Sequence, residues 1–200
     1  MSAFAVSDKG SGGRRCRRAD LGRLVWLHQA VACTLDVVET ICRLGRMRVQ
    51  MFVENPAGST IKHLYDEHTL VLLGQRPVHV PYPYHYGFIP GVPAPDGDCL
   101  DCFLLDTAPV ATGNIVDVEI VGVLHQVEEP EAGLFVEDHN LLARHVGDTR
   151  PATDDEINTL TRFITSVFGD TGPKMHLGGV RDTRAAARLL SASHRDLKPS

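Results

Sequence analysis

Apolar and polar residues follow two different periods along this chain. Between Leu21 and Leu44 the apolar residues recur every three or four positions, which predicts one amphipathic helix or a broken pair of helices. Beyond this segment the period becomes two, since Val49, Met51 and Val53 occupy alternate positions, as in a β-strand. The change of period predicts that a β-rich region begins near residue 47.

Further apolar runs of strand length follow, separated by Gly, Pro and Asp residues that favour turns. These candidate strands are Thr69–Leu73, Cys102–Leu105, Ile115–Leu124 and Leu134–Val136. Several short strands at this spacing favour a small barrel or a sandwich over a parallel sheet.

The C-terminal part returns to the helical period. Residues Thr153 to Glu156 have the sequence of a capping box, in which the first side chain and the fourth cap one another's backbone N–H groups. An apolar stripe follows it, made of Ile157, Leu160, Phe163, Ile164, Val167 and Phe168. A second helix is predicted from Thr183 to about Ala192. The pattern predicts an α+β protein with a mainly β core and helices at its C-terminal end.

The net charge of −5 conceals an asymmetry between two regions. Residues 1–46 carry eight Lys and Arg against four acidic residues, whereas residues 47–200 carry twelve against twenty-one. We therefore expect an N-terminal basic extension at 1–46, disordered over residues 1–18, and a functional domain at 47–200. An acidic domain is suited to gathering metal cations and argues against a nucleic-acid partner.

Cysteine usage and hydropathy indicate the compartment. Five cysteines form an odd set in a chain without secretory features, so reduced thiols and a cytoplasmic location are expected. The longest apolar stretch, Leu21–Ile41, is interrupted by polar and charged side chains. We therefore expect no membrane partner.

The most informative segment is residues 96–101, which read Asp-Gly-Asp-Cys-Leu-Asp. Three carboxylates so close together repel one another unless a cation lies among them, and oxygen ligands suit a hard divalent metal. Gly97 allows the tight backbone that brings the acidic residues together. The alternative is a solvated acidic turn, because Asp and Gly also cluster in turns for local reasons.

A tyrosine-rich segment, Tyr82–Pro90, precedes this acidic loop. The pairing of the two segments resembles the soluble Mg-dependent inorganic pyrophosphatases of the OB-barrel type. That resemblance implies a five-stranded OB-like closed barrel with flanking C-terminal helices, a homo-oligomer and Mg²⁺ as cofactor. Because His85, His125 and His139 lie near the acidic motifs in sequence, Mn²⁺ or Zn²⁺ is an alternative.

The resemblance covers residues 49–140 most clearly and assigns roles to single residues. It implies that Asp98 accepts a proton from the attacking water. It also implies a set of carboxylate ligands for the metal ions. These ligands are Asp96, Asp101, Asp138, Glu128 and Glu54.

The same resemblance assigns the substrate side of the site. Lys62, Arg76 and Tyr86 are similar to the residues that contact phosphate in the family, and Tyr86 is also taken as catalytic. After a shift in spacing, Lys174 supplies a further cation.

Three of the departures from the family pattern remove a charged or hydroxyl group. Leu64 stands where the family has a Glu, Asn140 where it has a Lys, and Phe168 near the place of a Tyr. The chain thus keeps the metal-binding half of the expected site and reduces the phosphate-binding half.

The resulting expectation is the hydrolysis of inorganic pyrophosphate to two orthophosphates by metal-activated water. Two alternatives remain: a catalytically weak domain that binds metal and phosphate, and a hydrolase of another phosphoanhydride such as a nucleotide. Residues 1–46 lie outside the resemblance, so they are either a genuine extension or the product of an overextended start codon.

Overall fold

The structure is a computed structural model that describes residues 46–95, 97–169 and 172–195. The helix predicted between Leu21 and Leu44, the disorder predicted for residues 1–18 and the predicted ligand Asp96 lie outside the described residues. In the described part of the chain, none of the helices combines the length and the apolar character needed to cross a membrane.

The described residues form strands followed by a mixed C-terminal region. The strands are β1 (Met47–Asn55), β2 (Ile61–Asp66), β3 (Val71–Pro77), β4 (His85–Pro93), β5 (Cys99–Leu104), β6 (Ile115–Glu131), β7 (Leu134–Glu137), β8 (Asn140–His145) and β9 (Lys174–Arg181). The helices are α1 (Asp154–Ile164) and α2 (Thr183–Arg195).

Five strands close into a barrel in the order β1–β4–β5–β8–β6, with β6 pairing back onto β1. Only the β5–β8 pairing in this circuit is parallel, and the others are antiparallel. Strands β7 and β9 extend the sheet from β6, while β2 and β3 form a separate hairpin. The predicted mainly β fold with a five-stranded closed barrel is confirmed.

Strand β1 shows why the alternating pattern predicted its structure. Met47, Val49 and Met51 are buried in the barrel, while the residues between them are exposed. Opposite this strand, β4 approaches closely at Gly87. A Cβ atom on Gly87 would lie 1.8 Å from the carbonyl oxygen of Phe52, so only glycine allows this strand pairing.

Helix α1 packs on the outside of the barrel. The predicted capping box is present: Thr153 Oγ1 accepts the N–H of Glu156 at 3.3 Å, and the Glu156 carboxylate accepts the N–H of Thr153 at 2.7 Å. Leu160 and Phe163 are buried against Phe103 of the barrel in one apolar cluster. The helix ends at Ile164, so the rest of the predicted stripe lies in the turn after it.

Helix α2 contributes Ala186 and Leu190 to the main core of the barrel. It begins at Thr183 as predicted and extends past Ala192 to Arg195. One predicted strand is shifted, because β3 begins at Val71 rather than Thr69. The Asp66 carboxylate accepts the backbone N–H groups of two residues of the preceding turn, and these bonds hold Thr69 outside the strand.

Candidate active site

A cavity of about 830 Å³ opens between the barrel, the β2–β3 hairpin and the end of α1. Its wall combines carboxylates, two long cationic side chains and tyrosines. These residues are Glu54, Glu67, Asp98, Asp101, Glu128, Asp138, Lys62, Arg76, Tyr82 and Tyr86.

The β4–β5 pairing brings Tyr86 and Asp101 together. Tyr86 is paired with Phe103 and Asp101 with Phe88, so the two residues are diagonal neighbours on one face of the sheet. The Tyr86 hydroxyl donates a hydrogen bond to Asp101 Oδ2. Burial raises the pKa of Asp101 well above its ordinary value, and the charge of Asp138 raises it further. The Tyr86 hydroxyl and Lys62 favour the ionised form but do not outweigh these two effects, so added positive charge would favour it further.

Asp138, which follows β7, is oriented by hydrogen bonds from β6. Its backbone N–H donates to the Gln126 carbonyl at 3.1 Å, and Gln126 Nε2 donates to Asp138 Oδ2 at 2.5 Å. Gln126 Oε1 in turn accepts from Asn140 Nδ2 at 3.3 Å. Gln126 thus holds Asp138 and Asn140 on the same wall of the cavity.

The two cations of the site belong to the β2–β3 hairpin, where Lys62 and Arg76 are directly paired. The ring of Phe168 lies 5.6 Å from Lys62 Nζ and 4.9 Å from Arg76 Cζ, measured to the ring centroid. Lys62 Nζ is also 5.6 Å from the centroid of the Tyr86 ring. The Phe168 ring therefore gathers both cations by its negative face, although it has no hydroxyl group.

Glu54, near the end of β1, is buried in the same wall. Burial is the main cause that raises its pKa to about 7, Lys62 opposes that shift, and the charges of Glu67 and Asp98 add to it. The Glu67 carboxylate accepts a hydrogen bond from the backbone N–H of Cys99. Glu54, Glu67 and Asp98 thus form a second group of acidic side chains in the cavity.

The donor chemistry of the cavity fits a hard divalent cation. Carboxylate oxygens are the ligands that Mg²⁺ and similar ions prefer. Burial raises the pKa of Asp101 and of Glu54, and a bound cation would lower both pKa values by favouring the ionised carboxylates. Asp101, Asp138 and Glu54 are among the residues that contribute carboxylate oxygens to this wall. Among the described residues, no three acidic, His or Cys side chains are already arranged around one metal position, and Asp96 lies outside this set.

The structure brings most of the sequence-predicted site residues to one cavity. Those on its wall are Glu54, Lys62, Arg76, Tyr86, Asp98, Asp101, Glu128 and Asp138. Lys174 is different: it begins β9 opposite Glu129 and is not on the cavity wall, so its predicted role in substrate binding has no support from its position.

The histidines near the acidic motifs lie away from this cavity. The buried ring of His85 accepts the Ala57 N–H at 3.1 Å and is 2.8 Å from the Ala108 carbonyl oxygen, which fixes it as part of the barrel. The rings of His125 and His139 have centroids 4.4 Å apart and are tilted by 44° to one another, and both line a separate cavity of about 760 Å³. Their positions give no support to a histidine-ligated metal in the described part of the site.

Gln126 and Glu67 are among the residues of the cavity wall that were not predicted from the sequence. Gln126 lies two positions before Glu128 on β6, and the strand period would place both side chains on one face. Glu67 carries no comparable signal, because it lies in the turn between β2 and β3.

A closed barrel with carboxylates facing a Lys–Arg pair in one cavity defines a class of protein that handles phosphate compounds with divalent metal. Comparison with known proteins identifies the family. The model of the Pyrophosphatase family, described as inorganic pyrophosphatase, matches residues 51–198. The chain therefore belongs to the inorganic pyrophosphatase family, whose members depend on metal.

Individual relatives agree with this assignment. The inorganic pyrophosphatase of Halalkalibacterium halodurans is 30% identical over 152 residues, which span 71% of this chain and 90% of that protein. The inorganic pyrophosphatase of Thermus thermophilus is 33% identical over 152 residues, spanning 72% of this chain and 87% of that protein. The structure of an inorganic pyrophosphatase from Coxiella burnetii has a TM-score of 0.61 at 28% identity, covering 76% of this chain and 95% of that one.

Proposed function

We propose that this protein hydrolyses inorganic pyrophosphate to two orthophosphates, with Mg²⁺ as the divalent metal. The observation that carries the proposal is that the carboxylates of Asp101 and Asp138 share one cavity with the paired cations Lys62 and Arg76. Pyrophosphate bound with metal needs both kinds of group, because its own charge must be neutralised while its metal ions are held.

Several residues of the cavity wall have roles in the proposed reaction. A divalent metal, when bound, polarises phosphoryl oxygens and makes water a stronger nucleophile near neutral pH. Asp98 accepts the proton of the attacking water. Lys62 and Arg76 bind and orient the phosphate groups, and the Arg76 guanidinium suits a bidentate contact. The Tyr86 hydroxyl holds the Asp101 carboxylate in position.

The cellular setting is part of the same proposal. Cys99 and Cys102 are buried free thiols, which fits a reducing compartment such as the cytoplasm. We also propose a homo-oligomer, as the family resemblance implies. Neither nucleic acid nor a membrane surface is included among the expected partners.

Phosphate release from the purified protein tests this proposal. We expect pyrophosphate to be hydrolysed with added Mg²⁺ and not with excess chelator. Asp101→Asn should lower kcat/KM by at least about a hundredfold, because a lost metal contact is worth several kcal/mol in the transition state. Asp117→Asn, which removes an exposed carboxylate of β6, is the matched control and should keep the parent rate.

Other outcomes of this assay would favour the alternatives. Metal-dependent binding of pyrophosphate without turnover would identify a binding domain rather than an enzyme. A nucleotide hydrolysed faster than pyrophosphate would identify another phosphoanhydride as the substrate. An Asp101→Asn protein with the parent rate would show that this carboxylate holds no catalytic metal.

A further inference from the structure

A second cavity, of about 760 Å³, lies on the opposite side of the strands that carry the candidate active site. Along β6, Gln126 lines the active-site cavity, whereas His125 lines the second one. Where the chain passes from β7 into β8, Asp138 and Asn140 line the first cavity and His139 lines the second. Successive side chains of an extended chain point to opposite faces of a sheet. The two cavities are therefore back to back, with one layer of the sheet between them.

A β-bulge in β9 leaves space beside His125. The pairing of β9 with β6 shifts register here, so that Gly179 is opposite His125 and Gly178 is the extra residue. A Cβ atom on Gly178 would be 3.1 Å from His125 Cβ, and Gly179 has a positive φ of 80°, which favours glycine. At these two positions β9 therefore has no side chain that could fill the second cavity.

Two imidazole rings form one wall of the second cavity. The centroids of His125 and His139 are 4.4 Å apart, and His139 is buried. His139 Nδ1 is 3.2 Å from the backbone nitrogen of Gln126 and 2.9 Å from its carbonyl oxygen, so the main chain of β6 holds this ring. Burial is the main cause that lowers the pKa of His125, and the nearby charges of His139 and Arg181 lower it further. The two rings therefore lie close to one another and to the guanidinium of Arg181.

Two arginines from different elements contribute positive charge to this cavity. Arg181 is the last residue of β9 and Arg188 lies on α2, and both are exposed. Neither guanidinium forms an ion pair or a hydrogen bond with another residue of the described ranges. Of the two acidic residues on the wall, Asp182 Oδ1 accepts the backbone N–H of Ala185 at 3.1 Å, and Glu137 faces the buried imidazole at 3.8 Å. The two guanidinium groups are thus in position to bind a ligand that enters the cavity.

An oxyanion is the ligand that this set of side chains suits. Guanidinium groups bind phosphate through paired N–H donors, and an imidazole N–H adds a further donor. We propose that the second cavity binds a phosphate group through Arg181 and Arg188, with His125 and His139 as additional hydrogen-bonding groups. The volume is larger than a phosphate group needs and is typical of small-molecule sites. The rest of the wall is mainly apolar and offers contacts to an organic group that carries the phosphate; these side chains are Val123, Val180, Ala185 and Leu189.

Nuclear magnetic resonance of the ¹⁵N-labelled full chain locates the bound ligand. The metal-free protein is titrated at constant ionic strength with inorganic phosphate and, separately, with adenosine 5′-monophosphate. The imidazole signals of His125 and His139 report on the second cavity, and the backbone amide of Lys62 reports on the active-site cavity. Arg181→Gln and Arg188→Gln each remove one guanidinium. Arg184→Gln makes the same change at an exposed position of α2 away from the cavity wall.

We expect saturable shifts of both imidazole signals, and we expect Arg181→Gln and Arg188→Gln each to weaken the binding by at least about fivefold. Arg184→Gln should bind like the parent. Tighter binding of the nucleotide than of inorganic phosphate would identify a phosphorylated organic molecule as the ligand, and equal affinities would identify phosphate itself. Shifts confined to Lys62, parent-like binding by both cavity variants, or equal weakening by Arg184→Gln would overturn the proposal. Because this test needs neither metal nor turnover, its outcome is independent of the proposed hydrolysis of pyrophosphate.

Discussion

At the scale of single residues, the cavity holds negative charge where the protein alone stabilises it poorly. The Asp101 carboxylate is buried beside Asp138, and the Tyr86 hydroxyl and Lys62 offset only part of the cost. Burying a charge is unfavourable unless it is paired, and here the net shift in pKa favours the protonated acid. This imbalance is what a bound cation would correct.

Asn140 lines the part of the cavity that is expected to bind phosphate, and one of its buried polar atoms has no hydrogen-bond partner among the described residues. Its side chain is buried, Nδ2 is 3.3 Å from Gln126 Oε1, and Oδ1 has no hydrogen-bond partner among the described residues. An ammonium group at this position would lie next to Asp138 and reach into the same cavity. The substitution Asn140→Lys therefore tests whether missing positive charge limits the reaction.

We predict that Asn140→Lys raises kcat/KM for pyrophosphate several-fold. A hydrogen bond to a charged phosphate is worth about 1.5–3 kcal/mol, and the cost of burying the longer side chain reduces the gain. Steady-state kinetics measures the effect, with Asn114→Lys at an exposed position as the control for added charge. An unchanged or lower kcat/KM would mean that other groups already bind the phosphate.

Residues of the cavity wall that belong to recognisable motifs could be found from the sequence, whereas others could not. Asp98 and Asp101 could be found because they lie in one short acidic loop. Glu67 reaches the same cavity only because the hairpin folds over it, and no local pattern records that approach. Lys174 was placed by a shift in spacing, and in the structure it begins β9 opposite Glu129 and away from the cavity wall, so its assigned role stays a prediction.

At the scale of elements, α1 and the turn after it form one side of the cavity. Leu160 anchors the helix in the apolar cluster, while Phe163, Ile164 and Phe168 line the cavity. Glu156 connects the start of the helix to the barrel through a 2.7 Å ion pair with the buried guanidinium of Arg144. The position of Phe168 therefore depends on how well the helix is fixed at its other end.

We predict that Thr153→Ala lowers the free energy of unfolding by about 1 kcal/mol, because one capping hydrogen bond of α1 is lost. The ion pair of Glu156 with Arg144 remains, so kcat/KM should change by less than about twofold. Urea denaturation measures the stability, and Thr107→Ala in an exposed loop is the control. A loss as small as that of the control would show that the ion pair alone fixes the helix.

Strands and helices were predicted correctly where their apolar residues follow a regular period along the sequence. β1 alternates and α1 has both a cap and a stripe, so both were predicted. β8 was missed because Leu141, Leu142 and Ala143 are buried consecutively and show no alternation. β2, β4 and β9 were also missed, since polar residues, prolines and glycines interrupt their patterns.

At the scale of the whole molecule, the described part of the barrel begins at β1. Met47 and Val49 are buried in the barrel core, and the exposed Arg46 lies 3.8 Å from the buried carboxylate of Glu119. Because the family resemblance begins near Val49, we propose that residues 1–46 are an extension rather than part of the core.

We predict that a protein shortened to begin at Arg46 melts within about 2 °C of the full chain, a difference of less than about 1 kcal/mol. Differential scanning calorimetry measures both proteins. A protein beginning at Gln50 is the control, and it should lose several degrees because Met47 and Val49 are buried. A similar loss in the Arg46 protein would show that the apolar stripe of residues 21–44 packs on the barrel.

The acidic cavity should also make the stability of the metal-free protein depend on pH through Glu54. The pKa of this carboxyl is raised from 4.5 to about 7, so between these values the folded protein keeps a proton that the unfolded chain has released. The stabilisation is complete below about pH 4.5 and is lost as the pH rises through about 7. His85 and His125, whose pKa values are lowered by burial, act in the opposite direction, so Glu54 must be isolated by difference.

We predict that the Tm of metal-free Glu54→Gln, relative to that of the parent, rises steadily between pH 4.5 and pH 7. The neutral amide avoids the buried charge that the parent must accept as the pH increases. Saturating Mg²⁺ should reduce or reverse this difference, since a ligand that binds only the folded protein stabilises it and the parent keeps the carboxylate that binds the metal. Thermal melts at several pH values measure the effect, with Glu131→Gln as the control for loss of an exposed carboxylate. A pH-independent difference for Glu54→Gln would mean that the pKa of the Glu54 carboxyl in the parent protein is not raised. The cavity would then stabilise this negative charge without a metal.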